Sequence, residues 1–369
     1  MLKPVISLVI CVSTLLVASG AMADTCDWES YASAPYQGFA FPDLNAKYWR
    51  IQFGVGGPLE LEKVIHIRGK PVNARYFSYT TYDGPTNAIL SHAADTDLMR
   101  KNGEYDIYIG LPQAIAAAKQ ILENTRGITG EMNFLPVEPQ GRRLPRKRGF
   151  ELWYRVYLEN SGRKGLPQAE MLYADAATNE LKPAKCTTNA KRPAVPVAAL
   201  PTIPPMNKHH EIKFYRLEGT SLYPNPHNQY LATRLNPRDG RVATIEFRPP
   251  PPDSMRYWSI CLGGLDTTTS GCLHDDEILA ANGLESGVEL PPETRVRVMI
   301  APESMRDRAK EEKMAFLPWG RHYRQFAIYR NLLADGDFEG NMRLVPPYKK
   351  GGDSADRFIG DWAPVGAQY

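Results

Sequence analysis

Residues 64–83 read VIHIRGKPVNARYFSYTTYD. Val64, His66, Arg75, Phe77 and Tyr79 alternate with residues of other character, and the run is rich in β-branched and aromatic side chains. That composition suits two strands of a half-buried sheet. Gly69-Lys70-Pro71 supplies the break between them. The pattern returns in the second half of the chain as Thr244-Ile245-Glu246-Phe247-Arg248, a run of prolines, then Met255-Arg256-Tyr257-Trp258-Ser259. Arg-Tyr-aromatic-Ser therefore occurs twice.

The repeat extends outward in both directions. Phe41-Pro42-Asp43 followed by Tyr48 matches Tyr223-Pro224-Asn225 followed by Tyr230. Downstream, Leu90 to Leu98 leads to Asn102-Gly103, and Leu273 to Leu279 leads to Asn282-Gly283. Strand-like runs follow at 105–109 and 296–300. Pro112 and Pro302 each precede one expected helix. The first carries Ile115, Ala118 and Leu122 on one face; the second is charged, with Arg308 and Glu312 four apart. Both halves then reach Phe-Leu-Pro (134–136 and 316–318) and a Tyr-Arg strand, Tyr154-Arg155 and Tyr329-Arg330. So ordered a correspondence implies an internal duplication. The expected fold is mainly β, two tandem jelly-roll-like antiparallel β-sandwich domains, each with one short helix. The domains are placed at 24–187 and 213–369. Residues 188–212, rich in proline, form an extended connector.

The amino terminus reads as an export signal over residues 1–23. Lys3 is followed by an apolar run from Val5 to Val17 and a small-residue cleavage pattern, Ala21-Met22-Ala23. No later segment is apolar enough for a membrane span, so none is expected after signal cleavage. Removing the signal takes Cys11 and leaves Cys26, Cys186, Cys261 and Cys272, an even number that points to disulfides in an oxidising compartment. One bridge per half is the simplest pairing, Cys26–Cys186 and Cys261–Cys272. The 31 prolines, 29 glycines and 19 tyrosines favour short strands and turns. A formal net charge of +3 is too small to dictate a partner, and export argues against nucleic acid.

Pro42-Asp43-Leu44-Asn45 with Tyr48, Ala74-Arg75-Tyr76-Phe77-Ser78 with Tyr82-Asp83, and Leu152-Trp153-Tyr154-Arg155-Val156-Tyr157 together resemble a family of exported bacterial proteins of unknown function. Gly165-Leu166-Pro167 fits the same pattern. Asn102 to Ile109 and Asn133 to Pro136 are similar to a related β-sandwich domain of unknown function. The second half keeps Arg256-Tyr257-Trp258-Ser259 but lacks the following Tyr-Asp. The resemblance implies a jelly-roll-like sandwich and brings no activity with it.

Candidate chemistry gathers in the first half. Asp83, ahead of Gly84, either caps a turn or joins Tyr82 in orienting a ligand. His92, Asp95 and Asp97, echoed by His274, Asp275, Asp276 and Glu277, form a polar loop whose Asp caps a short turn, a divalent-ion site or a proton-transferring pair. Their spacing fits no defined metal motif, so no metal is expected. Arg75, Arg155, Arg256 and Arg330 lie in strands, where they pair with carboxylates such as Asp83 or Asp106 or recognise an anion. The basic run 142–148 reads as a solvated hairpin loop or an envelope contact. Tyr48, Trp49, Trp153 and Trp319 serve as core or as a stacking pocket. No nucleophile elbow, phosphate loop, H-E-x-x-H helix or C-x-x-C pair occurs, and no cofactor is expected.

The leading functional expectation is a periplasmic or secreted module binding a small apolar, glycan or lipid-like ligand. Its candidate residues are Tyr48, Arg75, Tyr82, Asp83, His92, Asp95 and Arg155, converging at one mouth of the first sandwich. The alternative is an envelope hydrolase, lyase or isomerase using Asp83, His92 or Asp95. The sequence leaves oligomeric state open.

Overall fold

Alternation in 74–83 sends Phe77 and Tyr79 into a sandwich core, yet the intervening Tyr76, Ser78, Thr80 and Tyr82 are also buried. Both faces of this strand are covered, and that double burial shapes the molecule. The computed structural model describes residues 25–31, 41–53, 62–83, 88–127, 130, 132–137, 150–160, 165–186, 210–217, 223–237, 241–264, 268–320, 324–349 and 352–369. The expected export signal, nearly all of the connector and the basic run 142–148 fall outside these residues.

The first domain contains β1 (Glu29–Tyr31), β2 (Ala46–Phe53), β3 (Lys63–Gly69), β4 (Ala74–Asp83), β5 (Ile89–Ala94), β6 (Tyr105–Gly110), α1 (Pro112–Arg126), β7 (Asn133–Pro136), β8 (Phe150–Glu159), β9 (Gln168–Asp175) and β10 (Glu180–Ala184). The second contains β11 (Glu211–Lys213), β12 (Tyr215–Arg216), β13 (Asn228–Leu235), β14 (Ala243–Phe247), β15 (Met255–Gly264), β16 (Thr269–His274), α2 (Asp275–Ala281), β17 (Val296–Ala301), α3 (Arg306–Glu311), β18 (Ala315–Pro318), β19 (Gln325–Ala334), α4 (Asp356–Ile359) and β20 (Val365–Gln368).

Each domain is a sandwich of two five-stranded sheets. The order β1-β2-β8-β4-β5 in one is matched by β12-β13-β19-β15-β16 in the other, and β10-β9-β3-β6-β7 by β11-β20-β14-β17-β18. Arg75 and Arg256 thus sit at the second position of equivalent strands, β4 and β15. In the first core, Ile65, Ile67 and Ile109 meet Phe77, Tyr79, Leu152 and Tyr154 across the sheets. In the second, Ile245, Val298 and Ile300 meet Trp258, Ile260 and Tyr329.

Three details differ from the expected plan. The sheets are not wholly antiparallel: β6 pairs with β7, and β17 with β18, in parallel. A helix intervenes in both cases, and a crossover through a helix returns the chain in the same direction. Helix α1 is not short. Pro112 opens it, Gly127 closes it at φ 67°, a left-handed C-cap that suits glycine, and Ala114, Ile115, Ala118 and Leu122 pack on Val64 and Tyr108. Among the described residues the second domain has three α-helices rather than one. Besides α3, with its Arg308–Glu312 pair at 2.6 Å, it holds α4 and α2, where a polar loop was expected. The Glu277 carboxylate accepts the His274 N–H at 3.0 Å and caps α2.

Both expected disulfides are present. Cys26–Cys186 joins the two ends of the first domain, and Cys261–Cys272 links directly opposed residues of β15 and β16. Among the described residues no helix is long and apolar enough to cross a membrane.

Candidate functional site

The second face of β4 is covered by the other domain. Tyr76 and Tyr82 from β4, Trp153 and Tyr157 from β8, and Tyr48 from β2 form one buried aromatic cluster with Tyr223, Tyr257 and Leu332. The central sheets of the two sandwiches therefore meet face to face along a seam, and six of the seven candidate residues, all but Asp83, lie in it or are paired across it.

Contacts across the seam are reciprocal. Arg75 donates to Asp275 at 2.7 Å and to Asp276 at 2.5 Å, while Arg256 donates to both oxygens of Asp95 at 3.1 and 2.6 Å. Arg155 donates to the Tyr223 carbonyl at 3.1 Å, and Arg330 to the Phe41 carbonyl at 2.9 Å. Tyr76 donates to Asn225 Oδ1 at 3.4 Å, and Tyr257 to Asp43 Oδ2 at 2.8 Å. Each of these interactions of one repeat has its counterpart from the other, the signature of a two-fold interface made within one chain. The inserting loops correspond down to their backbones: Phe41 and Tyr223, each before a proline, stand at φ 50° and 51°. Such values are rare for bulky residues and survive where surrounding packing enforces them.

The correspondence breaks at one pair of positions. Asp43 and Arg330 form an ion pair at 2.6 Å with side-chain exposures of 0% and 4%. Burial opposes the Arg330 charge, but Asp43 holds its pKa well above the ordinary arginine value. In the other repeat, asparagine at 225 replaces the aspartate. Arg155, equally buried, donates to Thr80 Oγ1 at 3.1 Å, to the Tyr82 hydroxyl at 2.7 Å and to the Tyr223 carbonyl. Its guanidinium lies 5.1 and 5.4 Å from the Trp153 and Tyr82 ring centres. No described carboxylate pairs with it, so neutral oxygens and aromatic faces carry the charge.

Two imidazoles adjoin it. His92 Nδ1 lies 2.8 Å from Thr80 Oγ1, and its Nε2 lies 3.4 Å from His227 Nδ1. The Tyr76 hydroxyl sits 3.3 Å from His227 and 3.5 Å from His92. Burial, then His227 and Arg155, push the His92 pKa down to about 3, and burial lowers that of His227. Both rings are neutral at ordinary pH. In register, Thr80 and His92 occupy the places that Cys261 and Cys272 take in the second domain. A polar pair stands where the other repeat has a disulfide.

Tyr48, Tyr82, His92 and Arg155 are therefore brought together. Arg75 and Asp95 are not part of that group; they make the two reciprocal ion pairs, and Arg75 pairs with neither Asp83 nor Asp106. Asp83 ends β4 opposite Phe150. The expected convergence at a mouth of the first sandwich is replaced by a seam to which both domains contribute. Asp43, Asn225, His227 and Tyr76 were not among the candidates. The repeat itself carried the signal for two of them, by setting Asp43 against Asn225. Among the described residues two groupings have metal-like spacing, but in one the cysteines are a disulfide, and in the other Asp275 and Asp276 are held by Arg75.

A second charged cluster lies on the first domain's other sheet. His66 sits between Asp106 at 2.6 Å and Glu170 at 2.8 Å and stacks on Tyr108. Burial opposes its protonation, but the bonds to Asp106 and Glu170 outweigh it and hold the imidazole pKa above its usual value. With both ring nitrogens donating, neither is free for a metal. A raised histidine pKa stabilises the fold below the ordinary imidazole value, and that stabilisation is lost as pH rises through the raised value. Thermal unfolding between about pH 6 and about pH 8 should therefore show the wild-type midpoint falling more steeply than that of His66→Gln. Parallel curves would remove His66 from the account.

No family model matches the chain, and no curated protein matches it. Among solved structures, the chain is similar to an uncharacterised protein from Burkholderia cenocepacia, with a TM-score of 0.51 and 12% identity over 87% of this chain and 81% of that one. A protein from Vibrio parahaemolyticus aligns with a TM-score of 0.41 and 10% identity, over 81% and 87% of the two chains. The first likeness speaks for the fold alone.

Proposed function

We propose that the chain is an exported binding protein that holds a small ligand, of apolar, glycan or lipid-like body, at the seam beside Arg155, His92 and His227. The carrying observation is the buried Arg155 with no described carboxylate partner, set against its repeat mate Arg330, which has Asp43. A buried cation is costly unless something compensates it. The partly exposed His92 and His227 border the same group, and aromatic rings line it. The signal-like amino terminus and two disulfides support an oxidising compartment outside the cytoplasm.

An acid–base enzyme built on Asp83, His92 or Asp95 is less well supported. A general base works best with a pKa near the working pH, whereas His92 is pushed to about 3 and Asp95 is clasped by Arg256. The test is native mass spectrometry of the protein purified from its own cell envelope. A small retained mass is expected, lost in Arg155→Lys and kept in Arg256→Lys, since lysine cannot reproduce the fork of donors. Retention equal in both variants, or no retained mass at all, would reject this reading.

A further inference from the structure

We propose that the Arg155 side of the seam binds a carboxylate beside Asn225, in the role that Asp43 plays for Arg330. The inference deepens the binding reading above and rests on it. Asp43 shows which group such a site takes. Its Oδ1 accepts the Asn45 N–H at 3.0 Å, and its Oδ2 accepts from Tyr257 at 2.8 Å, Ser259 at 2.7 Å and Arg330 at 2.6 Å. One carboxylate oxygen thus satisfies three donors contributed by the other domain.

In the second repeat, Asn225 Oδ1 accepts the His227 N–H at 3.0 Å, as Asp43 Oδ1 does for Asn45. That bond fixes the amide orientation and sets Asn225 Nδ2 where Asp43 has Oδ2. A donor has replaced the acceptor. Asn225 Nδ2 and the Ser78 hydroxyl, the counterpart of Ser259, are both fully buried atoms without a well-formed hydrogen bond. Ser78 stands opposite Arg155 in the β4–β8 register, as Ser259 stands opposite Arg330. The set therefore comprises an amide N–H, a hydroxyl and a cation, all donors, on the scaffold that elsewhere grips an aspartate. Unsatisfied buried donors are costly, and a charge-assisted acceptor is what removes the cost. The neutral His92 and His227 bring no competing negative charge. A small monocarboxylate, or the carboxylate end of a larger ligand, matches this chemistry.

Formate is the smallest carboxylate probe, and chloride at equal ionic strength is its control. The expected result is a thermal midpoint that rises and saturates with sodium formate and does not with sodium chloride. Asn225→Asp would supply the carboxylate internally: it should melt higher than wild type without formate and lose the formate response. Ser78→Ala, which removes one donor, should keep the fold and weaken the apparent formate affinity roughly tenfold. An absent formate effect in wild type, an equal effect of chloride, or an Asn225→Asp protein that still responds would overturn the proposal. Failure of the two readings is distinguishable. Retained ligand without any formate response refutes the carboxylate site alone, whereas a formate response with nothing retained from the envelope refutes the seam ligand.

Discussion

Asp43→Asn should destabilise the protein by about 3–5 kcal/mol, the cost of leaving one partner of a buried ion pair uncompensated. The change makes the two halves of the seam chemically alike, since Asn225 already occupies the related position. It does not make them equally tolerant. Arg155 has no carboxylate partner among the described residues, but Tyr82 offers it a hydroxyl at 2.7 Å and Thr80 its Oγ1 at 3.1 Å. By register the counterparts of Tyr82 and Thr80 are Gly263, which has no side chain, and Cys261, whose disulfide sulfur lies 3.8 Å from Arg330. Besides that sulfur contact, Arg330 would keep the Phe41 carbonyl and the nearby Tyr230 ring. Tyr257 and Ser259 would share a poorer acceptor. Urea unfolding of wild type and Asp43→Asn measures the difference. A loss under about 1 kcal/mol would mean that the pair contributes no more than a surface bridge and that the seam tolerates an unpaired arginine on either side.

Much of this arrangement was legible in the sequence. Arg-Tyr-aromatic-Ser and Phe-Pro-Asp against Tyr-Pro-Asn defined the duplication, and equivalent positions do fall on equivalent strands. The cysteine pairs followed from one bridge per repeat. The seam was not legible, because alternation in 74–83 distinguishes two faces without saying what covers the second. Asp95 looked like a free acid, and its partner Arg256 lies 161 residues away. The same distance problem hid Glu170 from His66, 104 residues apart. Helix α2 was obscured for another reason: seven residues are too few for a periodic pattern. Its acidic first turn, Asp275-Asp276-Glu277, carried the usable signal, since negative charge favours a helix amino terminus. The register also altered the meaning of one landmark. The second Arg-Tyr-Trp-Ser lacks the following Tyr-Asp; in the fold, the Tyr82 hydroxyl of the first is one of the oxygens that hold Arg155, for which no described carboxylate is a partner.

Removing the Cys26–Cys186 bridge, by Cys26→Ser with Cys186→Ser, is expected to lower stability by up to about 5 kcal/mol in the loop-entropy account. The bridge spans a sequence separation of 160, against 11 for Cys261–Cys272, for which the same account gives about 3 kcal/mol. Position strengthens the contrast. Cys26 is buried in the first core, and its N–H donates to the Ala169 carbonyl at 2.8 Å, so the bridge ties the start of the domain to the end of β10 and to β9 beside it. Cys261 and Cys272 are already opposed in a ladder whose hydrogen bonds hold the register without them. The first domain should therefore lose far more than the second, and hydrogen exchange can resolve the two. The double serine variant should lose protection throughout β3, β6 and β9, while Cys261→Ser with Cys272→Ser should loosen chiefly β16. Because β4 and β8 present the seam from the first domain, loss of that domain should also release Tyr223 and Tyr257 from their buried cluster. If exchange instead accelerates equally in both domains when only Cys261–Cys272 is removed, the short bridge rather than the long one controls the fold.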